Sequence, residues 1–191
     1  MINTFINLIS IVFPIFIIIL IGFIWNKFNN NLNEEEIIKL ITWIGAPCLI
    51  FDTLININIS YSLLQDIVSI AIILTFLMLI FSMVIIKIFK EPVRALINPM
   101  TFQNSGNLGL IFCLFSFGQI GLELAVIYFM VTSVLHFTLG LSIWSGNISL
   151  KHLLKAPVVY AVILGLLINY NDLKLPIAIS NTTYVLAGIT I

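Results

Sequence analysis

A cluster of helix-breaking polar residues interrupts a long apolar run in the middle of this chain. The run extends from about Ala95 to Phe117 and contains the segment Asn104-Ser105-Gly106-Asn107-Leu108-Gly109. Helix interiors disfavour Gly and Asn, and hydrocarbon disfavours unpaired amide groups. Irregular backbone inside a membrane is tolerated where protein or a water-filled cavity surrounds it, and secondary transporters bind substrates at interrupted helices. The cluster therefore predicts a helix that is broken at the midplane of the membrane beside a polar cavity.

The composition is that of a membrane protein. Of the 191 residues, 61% are hydrophobic and 8% are charged, whereas a soluble domain has about 25% charged residues. The sequence therefore predicts an all-α integral membrane protein surrounded by the lipid bilayer. Because the formal net charge is zero, it offers no basic surface for nucleic acid. Cys48 and Cys113 lie in apolar runs and are expected as buried apolar side chains, not as a disulfide or a metal pair.

The sequence contains no recognisable catalytic or cofactor-binding pattern. Its two histidines, His136 and His152, lack metal-ligand spacing, and no Gly-rich loop with a Lys predicts an ATP site. We therefore expect neither an enzyme nor a bound cofactor or metal.

Apolar runs of about 20 residues predict seven membrane-spanning helices. They lie at about residues 5–25, 37–55, 63–88, 95–117, 122–144 and 153–168, with a seventh from about 175 to the last residue. Seven of the eight Lys and Arg residues then fall on one side of the membrane, and Lys174 is the exception. The positive-inside rule makes that side cytoplasmic. We expect a protein of the cell membrane (inner or plasma membrane) with its N-terminus outside.

Residues that punctuate the first two helices recur 143 positions later in the sixth and seventh helices. The matching pairs are Pro14 and Pro157, Gly22 and Gly165, Asn26 and Asn169, and Gly45 and Gly188. Five helices separate the copies, and an odd number reverses the second copy in the membrane, as in the inverted repeats of secondary carriers. We expect a first five-helix repeat at residues 1–146, a cytoplasmic connecting loop at 147–156 and an incomplete second repeat at 157–191. By this count, the chain is expected to be truncated at its C-terminus.

Several segments resemble the auxin efflux carrier family of membrane transport proteins, from about residue 10 to the end. The most specific is Asn104-Ser105-Gly106-Asn107-Leu108-Gly109-Leu110. The others are Phe117-Gly118 with Gly121-Leu122, Phe137-Thr138-Leu139-Gly140 with Gly146, Ala46-Pro47 with Leu49-Ile50-Phe51, and Ala156-Pro157 with Tyr160-Ala161, Gly165-Leu166-Leu167 and Asn169. Gln103 and Ile111 stand where family members often have Pro.

The resemblance implies a ten-helix fold of two inverted five-helix repeats, in which two broken helices cross at the midplane. Helices one, two, six and seven would form a scaffold, and the others a moving domain. The family carries organic anions, including auxin and dicarboxylates, and a homodimer through the scaffold helices is implied as well. This chain would hold the first repeat and about two helices of the second.

The polar cluster supplies the candidate substrate site. Asn104, Ser105 and Asn107 offer side-chain donors and acceptors, while Gly106 and Gly109 let the backbone unwind and expose amide groups to a carboxylate. The alternative is that small residues here only allow close helix packing. Packing alone does not need two asparagines, so we favour the site.

Four further residues are candidates for support or ion coupling. Pro47 breaks a backbone hydrogen bond in the second helix, so that it and Phe51 would either support the cavity or belong to a simple kink. Asp52 is a candidate site for a coupling ion or proton, H⁺ or Na⁺, or else a hydrated carboxylate near the interface. His136 is a candidate proton relay, or else a histidine that hydrogen-bonds between helices.

These features together favour a secondary transporter of a small organic anion, a carboxylate or dicarboxylate, that works by alternating access at the broken fourth helix. A second hypothesis is a non-transporting truncated membrane protein, or a split subunit that needs a partner for the missing helices. An intramembrane enzyme is the weakest hypothesis, because the predicted spans carry no paired acids or paired histidines.

Overall fold

A computed structural model describes residues 2–28, 33–57, 59–146 and 154–190, and the secondary structure within these ranges is helical without any strand. Three of its helical segments are long and apolar enough to cross a membrane: Glu34–Asn56, Tyr61–Phe89 and Val93–Ser145, the last folded across two interruptions. An all-helical chain with spans of this length confirms the expectation of a membrane protein at that level. The predicted connecting loop, residues 147–156, lies mostly outside the described residues.

Eight helices, numbered here in chain order, make up the described chain. Their bounds are α1 Ile2–Phe28, α2 Glu34–Asn56, α3 Tyr61–Phe89, α4 Val93–Thr101, α5 residues 105–117, α6 residues 119–145, α7 Pro157–Tyr170 and α8 Ile177–Ala187.

Local sequence explains where several of these helices begin and end. The Ser60 side chain accepts a hydrogen bond from the Leu63 amide at 3.3 Å and caps the start of α3. Lys90 and Gly146 end α3 and α6 in the left-handed conformation, with φ of 57° and 74°. Pro157 occupies the first turn of α7, where its missing N–H costs no hydrogen bond.

The predicted fourth span is interrupted, but just before the glycines rather than at them. The chain leaves the helix at Phe102–Asn104 and resumes as a π-helical turn, Ser105–Gly109, which contains both Gly106 and Gly109. Asn104 ends the interruption because its side chain caps the resumed helix. A second interruption at Gly118, with φ 67° and ψ −155°, separates α5 from α6.

The helices pack in two groups. The second half of α2 packs against α7 and α8, whereas α3 packs against α4 and against the continuous segment that contains α5 and α6. The two groups meet in a core that includes Ile50 and Leu54 of α2, Val126 and Ile127 of α6, and Val158 of α7. The break in the predicted fourth span thus lies where the two groups can approach each other.

Most of α1 lies outside this core. Phe13, Phe16 and Phe23 are 60%, 64% and 67% exposed, and the main contact of the helix within the described chain is with the segment Leu110–Leu135. Exposed apolar side chains of this size suit a helix whose surroundings are lipid. Predicted apolar runs and observed helices coincide to within a few residues, whereas the number of membrane crossings and the inverted repeat stay predictions.

Candidate functional site

The break at Phe102–Asn104 is held by short-range hydrogen bonds. The Asn104 Oδ1 atom accepts from the Asn107 amide at 3.2 Å, and the Ser105 amide donates to the Gln103 carbonyl at 2.8 Å. Upstream, the Phe102 amide donates to the Asn98 carbonyl at 2.9 Å and completes the last turn of α4. Asn104 is therefore a structural cap for α5 as well as a polar group at the break.

Three π-helical turns gather around this break. They are Ile41–Gly45 in α2, Ser105–Gly109 at the start of α5 and His136–Gly140 in α6. Each has five residues and ends in a glycine. Single π turns inside α-helices occur frequently at functional sites. Their clustering marks the region between α2, α5 and α6 as the candidate site.

A cavity of about 270 Å³ lies at the centre of these turns, and its mostly apolar wall carries a group of hydroxyls and amides. Its walls come from α2, from the break and the first turn of α5, from α6 and from α7, with Thr190 beyond the end of α8. The lining residues are Ile41, Thr42, Ala46, Phe102, Gln103, Asn104, Ser105, Gly106, Asn107, Phe129, Thr132, Ser133, His136, Phe137, Val158 and Thr190. We call this space the polar cavity.

Hydroxyl groups from different elements line the polar cavity. The Ser105 and Thr132 hydroxyl oxygens lie 3.3 Å apart, which links the resumed helix to α6. Thr132 also donates to a backbone carbonyl of its own helix, at Tyr128 or Phe129. The Thr190 hydroxyl is buried and has no hydrogen-bond partner in the part of the chain that the structure describes. It lies against Gly45 of the π turn in α2, where an added methyl group would overlap the hydroxyl oxygen.

His136 is the single titratable side chain among the described residues that line the polar cavity. Its imidazole stacks on the Phe102 ring, with centroids 4.7 Å apart and planes inclined by 16°. The Phe137 ring lies 5.9 Å from it on the same π turn. The stack joins α6 to the break, so a change at His136 acts directly on the interrupted segment.

Helix ends set the electrostatics of the cavity. The first turn of a helix carries a partial positive charge, and α5 begins at the cavity wall. The Ser105 and Asn107 amides of this turn are already bonded, to the Gln103 carbonyl and to Asn104 Oδ1. No Lys or Arg occurs among the described lining residues, so this helix start and the neutral side-chain donors are what the cavity offers to a negative charge.

A second cavity lies on the other side of the break. It has a volume of about 830 Å³ between α3, α5 and α6, and its walls are mostly apolar. Gln103, Asn104 and Ser105 line both cavities. The Tyr128 hydroxyl donates to Gln103 Oε1 at 3.3 Å along the wall of this apolar cavity. Residues 103–105 at the break thus lie between the polar cavity and the apolar cavity.

The structure brings most of the predicted binding residues together. Asn104 and Ser105 line both cavities, Gly106 and Asn107 line the polar cavity, and Gly109 lines only the apolar cavity. His136, from a separate helix, faces the polar cavity as well.

The other candidates lie away from the described walls of both cavities. Pro47 is buried just after the π turn of α2, and Phe51 packs against the core between α2 and α7. Asp52 is half-buried, and its Oδ1 accepts a hydrogen bond from the Asn56 side chain of the same helix at 3.3 Å. Pro47, Phe51 and Asp52 therefore contact residues of the packed helices and are absent from the described lining of both cavities.

Sequence reasoning missed several residues of the polar cavity. Thr42, Phe129 and Thr190 belong to elements far from the polar cluster in sequence, and the packing of α2 against α6 and of α8 against α2 brings them close. Thr132 and Ser133 carried a usable signal, since adjacent hydroxyls four and three residues before His136 share part of one helix face.

The described residues contain no cluster of three or more His, Cys, Asp or Glu side chains that could hold a metal ion. Comparison of the chain with protein-family models, with curated proteins and with solved structures gives no match.

Proposed function

We propose that this protein is a secondary transporter of a small organic anion, a carboxylate or dicarboxylate, which binds in the polar cavity at the broken helix. One observation carries the proposal: a helix starts at the wall of a cavity that is lined by amides and hydroxyls, inside an otherwise apolar helical chain. Helix starts of this kind bind carboxylates, and broken helices in membranes are tolerated where they line such a cavity.

The packing supports a two-part mechanism. The helices α2, α7 and α8 form one group, and α3 to α6 form the other, with the polar cavity between them. Relative movement of the two groups would open the cavity first to one side of the membrane and then to the other. The driving force would be a proton or sodium gradient, or the membrane potential.

The resemblance to the auxin efflux carrier family fits this arrangement for α2, α7 and α8, whereas α1, which the resemblance assigns to the scaffold, contacts the segment that contains α6. In that proposal the α2, α7 and α8 group belongs to the scaffold, the group with the broken helix moves, and the inverted repeats assemble a ten-helix crossed fold. The protein would lie in the cell membrane with its N-terminus outside, as the distribution of Lys and Arg predicts.

Uptake into vesicles tests the proposal. Purified protein is reconstituted into liposomes, and entry of radiolabelled mono- and dicarboxylates is measured under a pH gradient, a sodium gradient or a membrane potential. We expect uptake of at least one acid, and a loss of tenfold or more in Asn107→Ala, the size of change that losing one polar contact of about 1.4 kcal/mol gives.

Asn171→Ala is the matched control, because this exposed asparagine hydrogen-bonds only to the Leu167 carbonyl of its own helix in the described structure and lies outside both cavities. It should transport like the unchanged protein. Absence of uptake across the whole acid panel by stable, folded protein would contradict the transporter proposal.

A subunit that requires a partner is the second candidate. The apolar cavity is bordered by exposed side chains, with Phe117 74% and Ile120 67% exposed, and its floor carries the amides of Gln103 and Asn104. Amides that face lipid are costly, so a protein segment over this cavity would stabilise the chain. Solubilisation in a mild detergent, followed by native mass spectrometry, distinguishes a lone chain from a homodimer or a complex with another polypeptide.

A further inference from the structure

A groove with two lysines lies at the turn between α3 and α4. It has a volume of about 520 Å³ and is formed by the end of α3, by the turn and by the first residue of α4. Part of its wall is apolar and packed, because Ile86 is buried against the other helices. The lining residues are Met83, Ile86, Lys87, Lys90, Glu91 and Val93. We call this space the basic groove.

The charges of the basic groove are not neutralised within the described structure. Its two lysines and its glutamate are exposed, and none of them forms an ion pair with another described residue. Lys39 of α2 differs, because its Nζ lies 3.1 Å from Oε1 of Glu35 and 3.4 Å from Oε1 of Glu36. The basic groove thus has a surplus of one positive charge, which is available to a partner of negative charge.

An apolar stripe continues from Lys87 along the exposed face of α3. Going back from Lys87, residues three or four positions apart share this face, and they are Met83, Ile80, Phe76 and Ile73. Their side chains are 43%, 60%, 44% and 57% exposed. The stripe from Lys87 to Ile73 is about 21 Å long, whereas one leaflet contributes about 15 Å of hydrocarbon to a bilayer. It is therefore long enough to contact the full depth of an acyl chain.

The partner that fits the basic groove is negative at one end and apolar along its length. The distribution of Lys and Arg predicts that the turn between α3 and α4 lies at the cytoplasmic surface. Anionic phospholipids are concentrated in that leaflet, and basic pockets at the cytoplasmic ends of helices bind their headgroups. Charge complementarity therefore favours an anionic phospholipid over a zwitterionic one.

We propose that the basic groove binds one anionic phospholipid, whose phosphate contacts the ammonium groups of Lys87 and Lys90 and whose acyl chain lies along the apolar stripe of α3. Glu91 lines the same groove and opposes the phosphate, so it limits the affinity. Arg94 does not contribute, because its guanidinium group lies beside Gly146 at the end of α6. The inference goes beyond the proposed transport function and does not depend on it.

Native mass spectrometry of the purified full chain in detergent tests the site. The protein is titrated with phosphatidylglycerol or with phosphatidylcholine that has the same acyl chains, and the dissociation constant of the first bound lipid is measured for each. We expect phosphatidylglycerol to bind about tenfold more tightly. Lys87→Gln combined with Lys90→Gln should weaken its binding about 25-fold, because each lysine near an anionic headgroup contributes about fivefold. Binding of phosphatidylcholine should stay unchanged.

Three further variants separate the charge contacts from the apolar contacts. Lys27→Gln combined with Lys39→Gln is the matched control, because it removes the same charge from exposed lysines outside the basic groove and should bind phosphatidylglycerol like the unchanged protein. Glu91→Gln should strengthen that binding about fivefold, a gain that misfolded protein does not produce. Met83→Ala should weaken both lipids equally and leave their ratio unchanged, because it shortens the apolar stripe alone.

Several outcomes would overturn the lipid site. Equal affinity for the two lipids, or an equal loss in the two double variants, would mean that the basic groove does not recognise an anionic headgroup. Displacement of phosphatidylglycerol by inorganic phosphate at the same concentration would identify a site for soluble anions instead of a lipid. Because lipid binding is measured without uptake, failure of the transporter proposal leaves this inference in place, and its own failure leaves the transporter proposal in place.

Discussion

Gly106 is the residue that sets the size of the polar cavity. A methyl group at this position would lie 2.7 Å from Cε2 of Phe129, whose ring forms part of the opposite wall. A contact that short cannot persist, so the ring would move. Gly106 and the Phe129 ring together therefore limit the free volume of the polar cavity.

Gly106→Ala should therefore weaken solute binding more than it weakens the fold. We expect the displaced Phe129 ring to occupy part of the 270 Å³ cavity. Under the transporter proposal, the KM for the acid should then rise about tenfold, which corresponds to about 1.4 kcal/mol. Uptake kinetics measure this. Gly22→Ala is the control, because no atom lies within 4 Å of the added methyl group in the described structure. An unchanged KM in Gly106→Ala would contradict the role given to Phe129.

At the scale of single residues, the sequence predicts which side chains are chemically suited to the site but not all of their tasks. Asn104 was expected to bind substrate, and its Oδ1 caps α5 through the Asn107 amide. A cap is a local pattern, yet the sequence contains Asn at several positions near a helix start, and only the chain path decides which one caps. The contact between Asn98 and Gly140 joins residues 42 positions apart and leaves no pattern in the sequence.

Among the elements, α2 is the one against which both α7 and α8 pack. Leu54 is fully buried on α2, and its side chain lies against Gly165 of α7. Leu54→Ala should destabilise the protein by about 2–5 kcal/mol, because it leaves a cavity between two closely packed helices. Thermal unfolding in detergent measures the loss.

Ile19→Ala in α1 is the matched control for this prediction. Ile19 is 57% exposed on a helix that hardly touches the rest of the described chain. Its truncation should change the unfolding temperature little, since lipid or detergent replaces the lost contacts. Equal destabilisation by the two substitutions would mean that α2 and α7 do not form a core.

Helix positions were predictable from the sequence, whereas helix irregularities were not. Apolar runs located all the described helices, because a membrane span needs about 20 apolar residues in a row. The three π turns have no such signature, since packing against neighbouring helices decides whether an extra residue is accommodated. The break was predicted near Gly106 but lies at residues 102–104, because Asn104 caps the helix that resumes at Ser105.

For the molecule as a whole, the turn between α3 and α4 lies at the same end as the last residue of α6. Arg94 is close to Gly146, where a methyl group would lie 2.7 Å from Nη2. The distribution of Lys and Arg predicts that this end is cytoplasmic and that Lys174 lies at the other end.

Cysteine labelling tests this orientation. In protein with Cys48 and Cys113 replaced by Ser, single cysteines at Glu91 and Lys155 should resist a membrane-impermeant maleimide added to intact cells, and one at Lys174 should react. Labelling at Glu91 and Lys155 but not at Lys174 would invert the orientation. If the cysteines at positions 91 and 155 were accessible from opposite sides of the membrane, the seven-helix arrangement would be contradicted.

Each π turn contains one residue more than the corresponding turn of a regular α-helix. Removing that residue from the turn rotates everything beyond it by about 100° and shifts it by about 1.5 Å along the axis. In α2 and α6 the stored residue is wound next to the polar cavity. In α2 and α6, a small rearrangement at the cavity that converts the π turn to regular α-helix would therefore rotate the distant end of the helix.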